Sequence, residues 1–433
     1  MAKTPAKKAP ERSEKRKDAF SIFLDEVSRA PITIPILAII TGLIIGGLIV
    51  ALTTEEVYTA WSHSPIEAIQ VGLRAAWSSY SALFTGAIGN PARIVDALKG
   101  GDALEIRRAF NPIFESLTKS VPYIFAGLAV ALGFRAGLFN IGVEGTYLIA
   151  ALFAAYIGAQ FSFTPVLHVA VILLVAVAVG AFWAWIPAML KVKRGVHEVI
   201  ATIMLNYIAF ALSAYLFLNV FKAETSSLTI ATDLIPETGW IPSLNPVLGW
   251  FGIQARAGAN LYGFLIIAIF LGVFYHYLVN KSRFGYDLRA SGVNPAAANA
   301  SGVDPKKMII KTMVISGGLA GLVGIAPLLG FFHQYPQDFP RNLGFNGIAV
   351  ALLGRNHPVG MAFGALLFGF MQRSALILDL KDVPKEIVTI IQGIVVLAVV
   401  IVYEVISKYV QRRVVAAAAL ATEAVETLPE VAA

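Results

Sequence analysis

Nine apolar runs, each about as long as a bilayer is thick, recur along this chain at residues 32–52, 114–134, 137–160, 165–190, 197–219, 260–279, 308–330, 357–378 and 386–407. A helix needs roughly 20 apolar residues to cross the hydrocarbon, and in lipid every backbone N–H and C=O has to be satisfied inside the protein. The runs therefore dictate an all-α, polytopic membrane bundle. Composition agrees, with 57% of residues hydrophobic and 14% charged, against about 25% charged in soluble domains. A shorter run at 343–354 is ambiguous by length.

Basic residues orient the runs, because loops rich in Lys and Arg stay cytoplasmic. They cluster before Arg29, at Lys191, Lys193 and Arg194, at Lys281, Arg283, Arg289, Lys306 and Lys307, and at Lys408, Arg412 and Arg413. Starting inside, the count puts 191–194 inside after the fourth run and 281–307 inside after the sixth. The last basic group falls inside only if 343–354 also crosses, which gives about ten spans with both termini cytoplasmic. The expected organisation is a disordered basic tail at 1–31, a transmembrane domain at 32–407 and a cytoplasmic tail at 408–433. Within the domain, 53–113 and 220–259 read as external loops and 281–307 as a cytoplasmic loop. The first external loop carries Trp61, Trp77, Tyr80 and Phe84 in amphipathic stretches suited to a membrane interface. The second, with Pro236, Pro242, Pro246, Trp240 and Trp250, is rich in turn signals.

The absence of cysteine excludes disulfides and cysteine-held metals, and six scattered histidines form no ligand set, so no metal or cofactor is expected. The net charge of +7 lies in short patches between apolar runs. It serves topology, and no nucleic-acid partner is expected.

Polar groups inside apolar runs are the candidates for function, since an intramembrane carboxylate costs roughly 2.5 kcal/mol or more to insert. Asn140, Glu144, Asn206, Tyr207, Asn346 and Gln392 are such groups and are candidate substrate-pathway residues; interhelical hydrogen bonding is the competing role. Arg135 and Arg355 are candidate partners for Glu144. Phe331, Phe332, His333 and Tyr335 fit either an outer vestibule or an interfacial aromatic belt, and Arg355, Asn356 and His357 either an inner exit or a tight turn. Glycines spaced four apart, Gly42/Gly46, Gly133/Gly137, Gly317/Gly321 and Gly360/Gly364, are expected to pack helices.

The stretch from Arg283 to Lys307 is the most legible locally. Asn294 caps a short helix with Pro295 in its first position, Gly302 ends it in the left-handed region, and Asp304 with Pro305 starts the next. Exposed small side chains there suit either docking to a soluble partner or a plain connection.

Four segments in this order, FRAGLFNIGVEGTYLIAALFAA, HEVIATIMLNYIA, LRASGVNPAAANASGV and GFNGIAVALLGRNHPVG, resemble the permease subunits of bacterial ABC importers. The resemblance is to the branched-chain amino-acid and ribose permease superfamily, above all its nucleoside-importing branch, and covers roughly residues 110–407. It implies that Leu288 to Gly302 is the coupling helix, with Arg289, Asn294, Pro295, Ala296, Ala297, Ala298, Asn299 and Gly302 against a separate ATPase subunit. The chain has no GxxxxGK[ST] phosphate loop, so it is not itself the ATPase and no catalytic residue is expected. The resemblance also implies a second permease, a homologous but different chain, a substrate-binding lipoprotein that delivers a small molecule, and a place in the bacterial inner membrane. The residues alone leave three alternatives open: a permease for sugars, one for branched-chain amino acids, or a proton-coupled secondary transporter.

Overall fold

The computed structural model describes residues 33–100, 103–224, 230–250, 261–379 and 388–398, with single positions at 401, 405 and 408. The tail at 1–31 and all of the 408–433 tail but Lys408 lie outside the described residues. The contacts divide the chain into residues 1–41 with 397–433, and residues 42–396. In the first unit the described residues are helical; the packed core and the candidate site belong to the second.

In chain order the helices are α1 (Thr33–Thr53), α2 (Glu55–Trp61), α3 (Pro65–Ile88), α4 (Pro91–Gly100) and α5 (Ala103–Arg135), followed by α6 (Val143–Gln160), α7 (Pro165–Arg194) and α8 (Glu198–Leu216). After α9 (Asn245–Trp250) come α10 (Phe264–Lys281), α11 (Arg283–Val293), α12 (Pro295–Ala300), α13 (Pro305–Gly321), α14 (Leu343–Leu353) and α15 (Pro358–Asp379). A further apolar helix covers Val388–Ala398. Among the described residues there is no β-strand, only isolated bridges.

Five described helices are long and apolar enough to cross a membrane, or six if the pair Ile39–Thr53 and Glu55–Trp61, bent by 65°, counts as one span. Apolar side chains such as Leu174, Phe182, Ile200, Ile269 and Phe270 point outward from these helices. That is the pattern of helices solvated by lipid, with small residues reserved for the interior.

Backbone contact through glycine sets the closest packing. A Cβ on Gly317 would lie 2.3 Å from the Ala184 Cβ and 2.4 Å from the Gly180 carbonyl oxygen, and one on Gly321 would lie 2.1 Å from the Ala176 oxygen. Gly317 and Gly321 thus seat α13 on α7. Gly42 and Gly46 seat α1 on Val395 and Ile391, and Gly360 and Gly364 seat α15 on the end of α14. The Gly133/Gly137 pair does something else: Gly137 has φ +68, and the chain turns there at the end of α5.

Residues 53–100, read from the sequence as loop, form three helices. The long one, α3, buries Ala68, Gly72, Ser79, Ala82, Leu83, Gly86 and Ala87, and the Ser374 hydroxyl of α15 donates to the Leu83 carbonyl at 2.6 Å. A face of small residues turned a moderately polar segment into a packed helix.

Two helices begin after irregular segments. Residues 136–142 run without helix before α6, and residues 333–342 run without helix before α14. At 1.5 Å per residue, α14 with its 11 residues is about 16 Å long, roughly half the hydrocarbon thickness.

Candidate functional site

The two breaks meet at Glu144, which is 1% exposed. One carboxylate oxygen, Oε1, accepts from the Asn342 N–H at 2.6 Å and lies 3.1 Å from the Tyr147 hydroxyl. The other, Oε2, accepts from the N–H groups of Gly344 at 2.8 Å and Phe345 at 3.3 Å. Glu144 therefore closes the start of α14 with the side chain that opens α6, and its carboxyl group takes up main-chain N–H groups that the start of α14 leaves without helical partners. Asn342 enters α14 with φ 66, and a Cβ on Gly344 would lie 2.5 Å from the Glu144 nitrogen. The sequence suggested Arg135 or Arg355 as partners for this carboxylate; main-chain N–H groups take that place. Arg135 instead donates to the Asn356 carbonyl at 3.4 Å.

Asn140 and Asn206 extend the same joint. The Asn140 amide donates to the Ser316 hydroxyl at 3.0 Å and its oxygen accepts from the Gly142 N–H at 3.0 Å. Ser316 donates in turn to the Ala129 carbonyl at 2.7 Å. Asn206 accepts from the Gly145 N–H at 2.9 Å and donates to the Ile141 carbonyl at 3.1 Å. Both asparagines are buried, at 3% and 2% exposure. Three of the six pathway candidates thus converge, Asn140 and Asn206 tying down residues 141–145 and Glu144 the start of α14. Of the rest, Asn346 pairs with the Tyr123 hydroxyl, Gln392 is buried on the 388–398 helix with an unpartnered amide nitrogen, and Tyr207 is 67% exposed beside Phe210, away from the joint.

Next to the joint lies a cavity of about 310 Å³. Tyr123, Pro340 and Leu343 form its wall on the joint side; Glu115, Lys119 and Gln372 supply its polar groups; Tyr262, Phe331 and Phe332 supply ring surface. Its linings come from the middle of α5, the start of α10, the stretch after α13, Leu343 of α14 and Gln372 of α15. Arg135, which touches Gly292 of the 281–307 loop, ends α5 about 18 Å of helix beyond Tyr123. Phe331 and Phe332 were expected in a vestibule or a belt, and both line the cavity. Tyr335 stacks on Phe339 at 4.4 Å and His333 on Trp240 at 3.9 Å. The strip from Ile230 to Ile241 is tied down over them by main-chain bonds, Thr232 N–H to Tyr335 and Ile235 N–H to His333.

Glu115, Lys119, Tyr123, Gln372 and Arg373 carry no signal of function in the sequence. The first two sit where an apolar run begins, so they look like a span's wet end. Only the fold shows α5 starting 11 residues before the run, at Ala103, which carries both inward.

Within the 281–307 loop the predicted caps form. Asn294 accepts from the Ala297 N–H at 3.1 Å, Asp304 accepts from the Lys307 N–H at 3.1 Å, and Gly302 has φ 84. The Lys307 N–H holds the Asp304 carboxyl below the usual aspartate range. Val293, Asn294, Pro295, Ala296, Ala297 and Asn299 are exposed, whereas Ala298 is buried. Arg289 turns back and donates to the Val279 carbonyl, closing the end of α10. Gly292 touches the Arg135–Gly137 turn closely, since its Cβ would lie 2.6 Å from the Arg135 oxygen. Arg355 and Asn356, with φ 51 and 56, make the tight turn between α14 and α15.

Residues 112–400 match the family described as branched-chain amino acid transport system / permease component. The chain belongs to this family. Among curated permeases, it is 34% identical over 368 residues to the guanosine ABC transporter permease protein NupP of Bacillus subtilis (strain 168), covering 84% of this chain and 92% of that one. It is 30% identical over 339 residues to the glucose ABC transporter permease protein TsgB13 of Haloferax volcanii, covering 74% of this chain and 87% of the relative. A second Bacillus subtilis permease, the guanosine ABC transporter permease protein NupQ, is 29% identical over 285 residues, covering 62% and 84%. No solved structure matches the chain. As a permease of this family it is a pathway subunit and not an enzyme.

Proposed function

We propose that this permease forms the translocation pathway of an ATP-driven nucleoside importer in the bacterial inner membrane, with its energy supplied by a separate ATPase subunit. The observation that carries the reading is the likeness to NupP along nearly the whole of both chains. A second, homologous permease completes the pathway, as the likeness to both NupP and NupQ suggests, and an external lipoprotein delivers the nucleoside.

In this reading the chain crosses about ten times with both termini inside. The irregular residues 333–342 descend from the outer side and α14 completes the crossing, so 343–354 counts as one span. Discontinuous spans that meet near the middle of the bilayer are a recurrent basis for solute pathways. The joint residues Asn140, Glu144 and Asn206, with Asn346 and Gln392, frame the pathway by fixing these broken segments. Tyr207 serves it from the outward face of α8, where a second permease packs.

The coupling surface is the exposed rim at Asn294, Pro295, Ala296, Ala297 and Asn299, with Arg289, Ala298 and Gly302 fixing its shape. Gly292 carries motion from there into the turn that leads to Asn140 and Glu144. Ala297→Arg places a long cation where close contact is required. It is expected to abolish co-purification of the ATPase and nucleoside uptake while leaving membrane insertion unchanged. Normal complex formation by this variant would contradict the coupling assignment. The likeness to TsgB13 favours a sugar as the second reading, and competition of labelled nucleoside uptake by glucose separates the two. A proton-coupled transporter would keep its uptake without the ATPase.

A further inference from the structure

The cavity beside the joint has a distinctive charge arrangement. Both oxygens of Glu115 are occupied: Asn111 donates to Oε1 at 2.7 Å, and Arg373 pairs with Oε2. Lys119, one helical turn further on the same wall, has no hydrogen bond or ion pair among the described residues. It feels the charges of Glu115 and Arg373 at a distance, and its amino group keeps its hydrogen-bond donors for a ligand. The rings of Phe331 and Phe332 line the same cavity, as does the Tyr262 ring, which is packed on Gly330. A volume of about 310 Å³ stands at the small end of the range for organic ligands, about 300 to 1,000 Å³.

An amino acid would need a free carboxylate for its ammonium group, and Glu115 is not free. A sugar's hydroxyls could accept from Lys119, but a sugar offers no flat face to the rings of Phe331, Phe332 and Tyr262. A flat heterocycle stacks on the rings. A lysine reads best the edge on which two acceptors adjoin, which in a purine is a ring nitrogen beside a carbonyl oxygen. A purine bearing an exocyclic amino group at that place offers a donor to a donor.

Resting on the nucleoside reading above, the geometry points to a base-reading pocket within the permease itself, in which Lys119 selects 6-oxopurine nucleosides and Phe331, with Phe332, stacks the base. Discrimination then does not belong to the external lipoprotein alone.

The test is uptake of labelled guanosine and adenosine by cells expressing the whole complex with wild type, Lys119→Met, Lys119→Arg or Phe331→Ala permease. Each rate ratio is divided by the wild-type ratio, which cancels the lipoprotein's own preference. Lys119→Met is expected to lower the guanosine-to-adenosine ratio at least about fivefold, the weak end of a two-acceptor contact. Lys119→Arg should restore most of it. Phe331→Ala should slow both nucleosides alike, because stacking is tolerant of the base. An unchanged ratio in a Lys119→Met complex that still transports overturns the pocket alone. Should that variant fail to assemble, normal uptake of both nucleosides by Phe331→Ala, at an exposed position, overturns it instead. A wild-type complex that moves no nucleoside overturns the nucleoside reading and the pocket with it.

Discussion

Glu144→Ala is expected to destabilise the permease by about 2 to 4 kcal/mol, read as a lower melting temperature in detergent and a lower yield from membranes. Interhelical hydrogen bonds in membrane proteins average about 0.6 kcal/mol each, because a chain unfolded in the bilayer also finds partners. Four such bonds converge on this carboxylate. That sets the lower figure. Three of the donors are main-chain N–H groups at the start of a half-length helix, and leaving such a group buried and unpaired costs about 1 to 3 kcal/mol. That pushes the total upward. Glu144→Gln keeps one acceptor oxygen and should fall between the two. Wild-type melting by Glu144→Ala would mean that the joint between α6 and α14 is held by packing alone.

The second large effect belongs to the α7–α13 contact. Gly317→Ala inserts a methyl 2.3 Å from the Ala184 Cβ and 2.4 Å from the Gly180 oxygen, and main chain has no rotamer by which to yield. Overpacking of this kind costs about 1 to 3 kcal/mol, here set against the gain of up to about 1 kcal/mol that alanine brings to a helix over glycine. Gly272, in α10, has nothing within 4 Å of its virtual Cβ, so Gly272→Ala should be neutral or stabilising. A fluorescence-detected melting curve on the pair checks the sign directly. Equal melting of the two variants would refute the close approach of α7 and α13.

What the sequence made legible was the part governed by local rules. The caps at Asn294 and Asp304 and the left-handed Gly302 follow from neighbours within a turn, and each appears where the residues place it. The spacing of Gly317 and Gly321 marks a packing face, yet only three dimensions reveal Gly180 as the other half. Glu144 announces itself as costly, but its donors lie about 200 residues away in the chain and are main-chain groups. No side-chain pattern points to them, so cationic partners looked better than they were. The α3 face was hidden for a related reason: alanine, glycine and serine are weakly apolar, and their burial depends on a helix that comes almost 300 residues later. Lys119 and Glu115 were masked by standing at the edge of an apolar run, and a cavity has no signature in one dimension.

The most direct test of the transport account is uptake of radiolabelled nucleosides into cells that express this permease with its ATPase, second permease and binding lipoprotein, compared with the same cells carrying a phosphate-loop mutation in the ATPase. The account predicts accumulation that vanishes with the mutation while the permease remains in the membrane. Accumulation that persists with the mutation and collapses when the proton gradient is dissipated would contradict it.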